Sequence, residues 1–251
     1  MPHAIHPDLS TPDQILCELK AAAEVGDLLR LKDALARWDD TATGMSWFST
    51  TLPERFVQIR HDISTTTMAL QRVLNVNTAA NCQSTWYREI LPSEELVRWC
   101  LEHGADPKFR SAGGNIDIPS VAGKFASVGS LKLLKEYGAD FTKSNALHSA
   151  AGSPRPGRIE AIEYLVDEAG VPINQREWEY DGKQFEEWKS MGVGTALHCA
   201  VKGKHLEAVR FLISKGIDQK IRDTKDRQAV DLARDVDFAE AVALMEASQQ
   251  N

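Results

Sequence analysis

One stretch of the chain decides its fold, Thr195-Ala196-Leu197-His198-Cys199-Ala200. Apolar residues at a helical spacing follow it between Leu206 and Ile213, and a glycine turn ends the unit at Gly216. A short helix, a turn and a second helix with one buried face account for this order. The stretch therefore predicts a helix-turn-helix unit.

The same unit recurs upstream at a nearly constant spacing. A second copy opens with Asn145-Ala146-Leu147-His148-Ser149-Ala150, and a third covers residues 117–140. Gly104 and Gly138 lie 34 residues apart, and Gly138 and Gly170 lie 32 apart. A period of about 33 residues and a Thr-Pro-Leu-His-like opening resemble the ankyrin-repeat family. That resemblance implies an all-α solenoid of about five to six helix-turn-helix repeats with hairpin loops.

The repeats are predicted to form one solenoid over residues 1–251. Their approximate ranges are 12–38, 56–106, 117–140, 145–174 with an insertion at 175–192, 195–218, and a C-terminal capping repeat at 228–247. The resemblance is weak over residues 39–90, where either a degenerate repeat or a repeat with a long insertion fits. The polar last face of the final repeat suits a cap.

Polar residues at the start of each unit have structural roles in the family. There the Thr of the opening motif caps the first helix and the His bonds to neighbouring backbone, which the resemblance implies for Thr195 and His198. Asn145 and His148 hold the same positions in the preceding unit, and Asp117 keeps a capping side chain. We therefore expect both histidines to be structural, neither catalytic nor metal-binding.

Composition narrows the classes of function. The net charge is −7, with 43% hydrophobic and 26% charged residues, so we expect neither a nucleic-acid nor a membrane partner. No apolar run reaches the roughly 18 residues of a membrane span, and no leader pattern opens the chain. The four cysteines are scattered without a Cys-x-x-Cys pair, which favours reduced thiols in the cytoplasm or nucleus.

No catalytic motif is present in the sequence. It contains no Gly-x-Ser-x-Gly, His-Glu-x-x-His or phosphate-loop pattern. The leading hypothesis is a non-enzymatic, monomeric interaction module that binds another protein through its concave face. No catalytic residue, metal or cofactor is expected.

An aromatic insertion, residues 174–191, marks the candidate binding site. Gly170 and Gly216 lie 46 residues apart, well above one period, and two Trp, one Tyr and one Phe fall within eleven residues of this span. Such side chains are enriched at binding hot spots. Asp181-Gly182 predicts a hairpin finger, and packing of the insertion on its own repeats stays open. The candidate partner-binding residues are Trp178, Tyr180, Phe185, Trp188, Arg176, Arg110, Lys143 and Trp86.

The alternative hypothesis is an enzyme or small-molecule-binding protein. Its pocket would lie between residues 39–62, the hairpin fingers and the insertion, since aromatic walls with a few polar groups are typical of ligand sites. A closed cavity with a shifted titratable group would favour it over an open protein-binding face. Its acid-base candidates are His61, Asp62, Glu177, Asp181, Lys183 and Tyr180.

Overall fold

A computed structural model describes residues 18, 21–22, 27, 29–30, 33–34, 90–102, 105–110 and 117–249. Predictions for residues 39–62, including His61 and Asp62, and for Trp86 lie outside the described residues. Ten α-helices lie wholly within residues 90–102, 105–110 and 117–249: α1 Glu94–Glu102, α2 Ile118–Phe125, α3 Val128–Glu136, α4 Ala146–Ala151, α5 Arg158–Glu163, α6 Gly182–Trp188, α7 Ala196–Lys202, α8 Leu206–Ser214, α9 Ala229–Asp235 and α10 Ala239–Ser248.

The helices form two parallel rows. Helices α2, α4, α7 and α9 follow one another in the inner row, and α1, α3, α5, α8 and α10 form the outer row. Each inner helix packs on the outer helix that follows it in sequence. No β-ladder longer than an isolated bridge occurs among the described residues, so the predicted all-α solenoid is confirmed. None of the described helices combines the length and apolarity required to cross a bilayer.

The motif residues cap the inner helices as predicted in two repeats. His198 Nδ1 accepts the Thr195 N–H at 3.2 Å, and His198 Nε2 lies 3.0 Å from the Arg227 carbonyl oxygen. Asp117 accepts the backbone N–H of Ser120 at 2.7 Å. These bonds satisfy helix-end groups that would otherwise be buried without partners.

The prediction that Asn145 caps its own helix is wrong. Its Oδ1 instead accepts the backbone N–H of Trp178 at 2.8 Å, and no side-chain cap bond forms on α4. His148 keeps the expected backbone contact, with Nε2 2.9 Å from the Gln175 carbonyl oxygen. Asn145, directly before α4, and His148, on α4, therefore both hold the insertion.

Glycines end the outer helices in the left-handed region. Gly170 has φ 78° and Gly216 has φ 79°, where a side chain would be strained. Residues 164–168 form a π-helical turn after α5, and the Val171 N–H then bonds the Leu165 carbonyl at 2.9 Å. One extra residue is accommodated at this helix end, a common use of a π-bulge.

The inner helices stack with their backbones in close contact. A methyl group added at Gly203 would overlap the carbonyl of Gly152 in the preceding repeat, and one at Gly123 would overlap the carbonyl of Ala146. The contact at Gly123 joins α2 to α4, and the contact at Gly203 joins α4 to α7. It fixes the spacing of the repeats between which the insertion lies.

Candidate interaction surface

The two ends of the insertion pair with each other where it leaves the solenoid, and we call this pairing its paired base. Arg176 and Thr195 form an antiparallel bridge, and the Glu177 N–H donates to the Gly194 carbonyl at 2.9 Å. The Arg176 N–H also donates to the Glu179 carboxylate at 2.9 Å. The chain thus enters and leaves the insertion at one point of the hairpin edge.

A helix replaces the predicted hairpin finger. Asp181 accepts the Gln184 N–H at 3.2 Å and so caps α6. A 3₁₀ turn at Lys189–Met191 follows, and Gly192 ends it at φ 78°. The hairpin prediction is wrong because Asp before Gly also starts a helix, and the residues that follow favour a helix over a strand.

Three of the four candidate aromatic rings form a cluster. The Trp178 and Trp188 rings are stacked, with centroids 6.3 Å apart and planes 16° apart. The Trp178 and Tyr180 centroids lie 6.2 Å apart. These rings and Phe185 are half-buried, and within the described residues none of the four belongs to the core cluster of the repeats. Met191, just beyond α6, is 64% exposed.

Arg110 connects the insertion to an earlier hairpin. Its Nη1 donates to Asp181 Oδ2 at 2.7 Å and its Nη2 donates to the Lys143 carbonyl at 3.2 Å. The guanidinium carbon lies 5.5 Å from the Tyr180 ring centroid, at cation–π distance. Arg110 therefore positions the insertion, while the Lys143 side chain is exposed and lies 3.6 Å from Asp140.

Residues outside the insertion hold its far end. Lys202 Nζ donates to the Gly192 carbonyl at 2.8 Å and lies 3.5 Å from the Glu177 carboxylate. The Thr224 hydroxyl donates to the Lys189 carbonyl. These contacts are not predictable from the sequence. Lys202 lies on α7 and Thr224 in the next hairpin, and neither residue belongs to a motif that points to the insertion.

Asp223 and Arg227 form a clamp beside Gly192. Arg227 Nη2 donates to Asp223 Oδ2 at 2.8 Å, and Asp223 Oδ1 accepts the Arg227 backbone N–H at 3.0 Å. Burial alone would raise the pKa of Asp223, but the hydrogen bonds from Arg227 and Lys225 outweigh it and hold the pKa below its usual range. The clamp leaves no room for a side chain at Gly192.

The Tyr180 hydroxyl is buried between the insertion and the inner row. It makes no hydrogen bond of good geometry, although Ser120 lies close to it. The Ser120 hydroxyl is already used, donating to Asp117 Oδ2 and accepting from the Asn145 N–H, both at 2.8 Å. Burial first, and the Asp117 carboxylate next, raise the pKa of Tyr180, so the phenol stays neutral.

The acid-base candidates of the alternative hypothesis have separate partners. Asp181 pairs with Arg110, Glu177 lies against Lys202, and Lys183 is exposed on α6. In the part of the chain that the structure describes, no three His, Cys, Asp or Glu side chains gather as a metal site. A pocket shared with residues 39–62 stays a prediction.

Comparison with known proteins identifies the repeats. A family model described as ankyrin repeats (many copies) matches residues 147–213. Over 107 residues, 42% of the chain, the sequence is 33% identical to alpha-latrotoxin-Lg1a of Latrodectus geometricus. The match spans 7% of that toxin. The likeness is therefore to a small part of a much longer protein.

Proposed function

Because this chain contains ankyrin repeats, which are generally protein–protein interaction modules, we propose that it binds a protein partner without catalysing a reaction. The concave face supplies the broad contact, and the aromatic insertion supplies the anchor. The observation that carries this proposal is the ring cluster of Trp178, Tyr180 and Trp188, which lies outside the repeat core on a braced segment.

The bracing supports a binding role for the rings. Asn145, Lys202 and Arg110 each hold a different part of the insertion. A surface that is ordered before binding loses less conformational entropy when a partner docks. Trp and Tyr side chains in such positions contribute most to interface energy. Met191, exposed beside α6, extends the apolar surface with an adaptable side chain.

The cysteines support a reducing location. Cys100 and Cys199 are buried free thiols, and burial raises the pKa of Cys100 to about 12. Such thiols are unreactive and suit the cytoplasm or nucleus.

Quantitative affinity capture with matched variants tests the proposal. The tagged chain, Trp188→Ala and Tyr137→Ala are compared, because Tyr137, the residue directly after α3, is a 39% exposed aromatic outside the insertion. We expect one or more proteins to be captured by the wild type and by Tyr137→Ala and to be lost with Trp188→Ala. For the purified partner, Trp188→Ala should weaken Kd by about thirtyfold, as truncation of a hot-spot residue does.

Thermal unfolding of each variant separates loss of binding from loss of fold. A partner that binds Trp188→Ala and the wild type equally, with both proteins folded, contradicts the insertion as the anchor. A chain that retains no protein partner but binds a small molecule contradicts the proposed class of function.

A further inference from the structure

A second candidate site lies at the edge of the solenoid opposite the hairpins. The N-terminal end of α2 adjoins the hairpin bridge at Asp117, so its C-terminal end, Phe125, lies at the opposite edge. There a hollow of about 520 Å³, open to solvent, lies between the end of α2 and the start of α5. Phe125, Val128 and Pro92 provide its apolar walls.

Two cations approach the ring of Phe125. The Arg155 guanidinium carbon lies 5.0 Å from the ring centroid, and Lys124 Nζ lies 5.5 Å from it. Both distances allow a cation–π contact. Arg155 also lines the hollow, together with Arg158.

Arg158 is a buried cation without a carboxylate partner. Its Nη1 donates to the Gly123 carbonyl at 2.7 Å and its Nη2 to the Ala126 carbonyl, while its Nε has no acceptor. The side chain thus joins α5 to the preceding repeat. Burial first, and the neighbouring charge of Arg155 next, lower the pKa of Arg158.

The charges around the hollow do not balance. Glu160 is the carboxylate that lines it, against Arg155 and Arg158, with Lys124 beside Phe125. Among the residues that the structure describes, no ion pair joins these three cations to a carboxylate. The whole chain has a net charge of −7. The positive charge around the hollow is therefore a local feature, opposite in sign to the charge of the protein.

We propose that this hollow binds an acidic segment of a partner polypeptide, with a Glu or Asp carboxylate between Arg155 and Lys124 and a neighbouring apolar side chain against Phe125 and Val128. Arg158 fixes the end of α2 beside the hollow through its bonds to the Gly123 and Ala126 carbonyls. Its positive charge also attracts the carboxylate. Guanidinium and carboxylate groups match in geometry and form charge-assisted hydrogen bonds. Volumes of this order accommodate a few side chains.

Fluorescence anisotropy tests the site with a defined probe. The probe is a short fluorescein-labelled peptide of alternating Glu and Leu, compared with its Gln-for-Glu counterpart on the full chain. The test variant is Lys124→Gln with Arg155→Gln. The matched control is Lys220→Gln with Arg210→Gln, which removes the same two charges from exposed positions outside the hollow. Arg158 is left intact, because its loss could unfold the repeat.

We expect the Glu peptide to bind the wild type and the control variant equally, and the test variant to weaken binding by about tenfold or more. The Gln peptide should bind none of them. Absence of Glu-peptide binding to the wild type overturns the proposal, and so does equal weakening by both double variants. Binding of inorganic phosphate without binding of the peptide overturns it as well, because the hollow would then hold a small anion.

Discussion

At the residue scale, His198 connects two repeats in a way that only a neutral ring allows. Nδ1 accepts the Thr195 N–H, so Nε2 carries the proton that is donated to the Arg227 carbonyl. A second proton on Nδ1 would face that N–H donor. Burial, the largest cause, lowers the pKa of His198, so the folded chain disfavours the imidazolium.

This geometry predicts a loss of stability in mild acid. In the unfolded chain the ring takes up a proton near pH 6.5, and below that pH the unfolded state binds more protons than the folded state. We expect the free energy of unfolding to fall as the pH drops from about 6.5, measured as the urea midpoint. His198→Asn should reduce this slope. An unaltered slope in His198→Asn contradicts this role.

At the element scale, two glycines bracket the α6 turn and differ in their surroundings. A Cβ at Gly192 would lie 2.9 Å from Arg227 Nη2 and 3.1 Å from Asp223 Oδ2, at φ +78°, whereas a Cβ at Gly182 meets nothing within 4 Å. We expect Gly192→Ala to destabilise the protein by about 1–2 kcal/mol. Gly182→Ala should be neutral or stabilise it by about 0.5 kcal/mol. Urea unfolding compares the two, and equal effects would show that the clamp does not restrict the insertion.

The ion pair between Arg110 and Asp181 predicts a measurable coupling between hairpin and insertion. The two side chains are 32% and 28% exposed, so solvent screens their attraction and a coupling energy of about 1 kcal/mol is expected. A double-mutant cycle with Arg110→Gln and Asp181→Asn measures it, because Asn retains the cap of α6. Hydrogen exchange in α6 should accelerate in Arg110→Gln. Additive single effects would mean that the contact has no energetic role.

How far the sequence predicts these elements depends on where their partners lie. Thr195 bonds within its own motif, whereas His198 also reaches the backbone of Arg227 in the next repeat. The family resemblance implies both roles, so these two residues are predictable from the sequence although one partner is distant. Asn145 was predicted to be a cap because its nearest partners in sequence are the N–H groups of α4. The fold instead brings it to Trp178, 33 residues away. The contacts of Arg110 and Lys202 with the insertion are not predictable for the same reason. The aromatic residues of the insertion, in contrast, can be read directly from the sequence.

At the scale of the whole molecule, stability depends on contacts between neighbouring repeats. Gly203 allows α7 to lie directly on the carbonyl of Gly152, and its φ of −79° is open to any residue. Gly203→Ala therefore tests packing alone. We expect a loss of about 2–3 kcal/mol, with faster hydrogen exchange in both α4 and α7. Since a solenoid is held by nearest-neighbour interfaces, α10 should be less affected. Uniform acceleration across all repeats would contradict this.

The paired base of the insertion, where Glu177 bonds to Gly194, has an evolutionary consequence. The segment beyond that base can be lengthened, shortened or exchanged while the chain still enters and leaves it where Arg176 pairs with Thr195. If the insertion binds the partner as we propose, recognition specificity can diverge in descendants of a duplicated gene through changes in this segment and in the few scaffold residues that hold it. The same property makes this position a natural acceptor for grafted recognition loops.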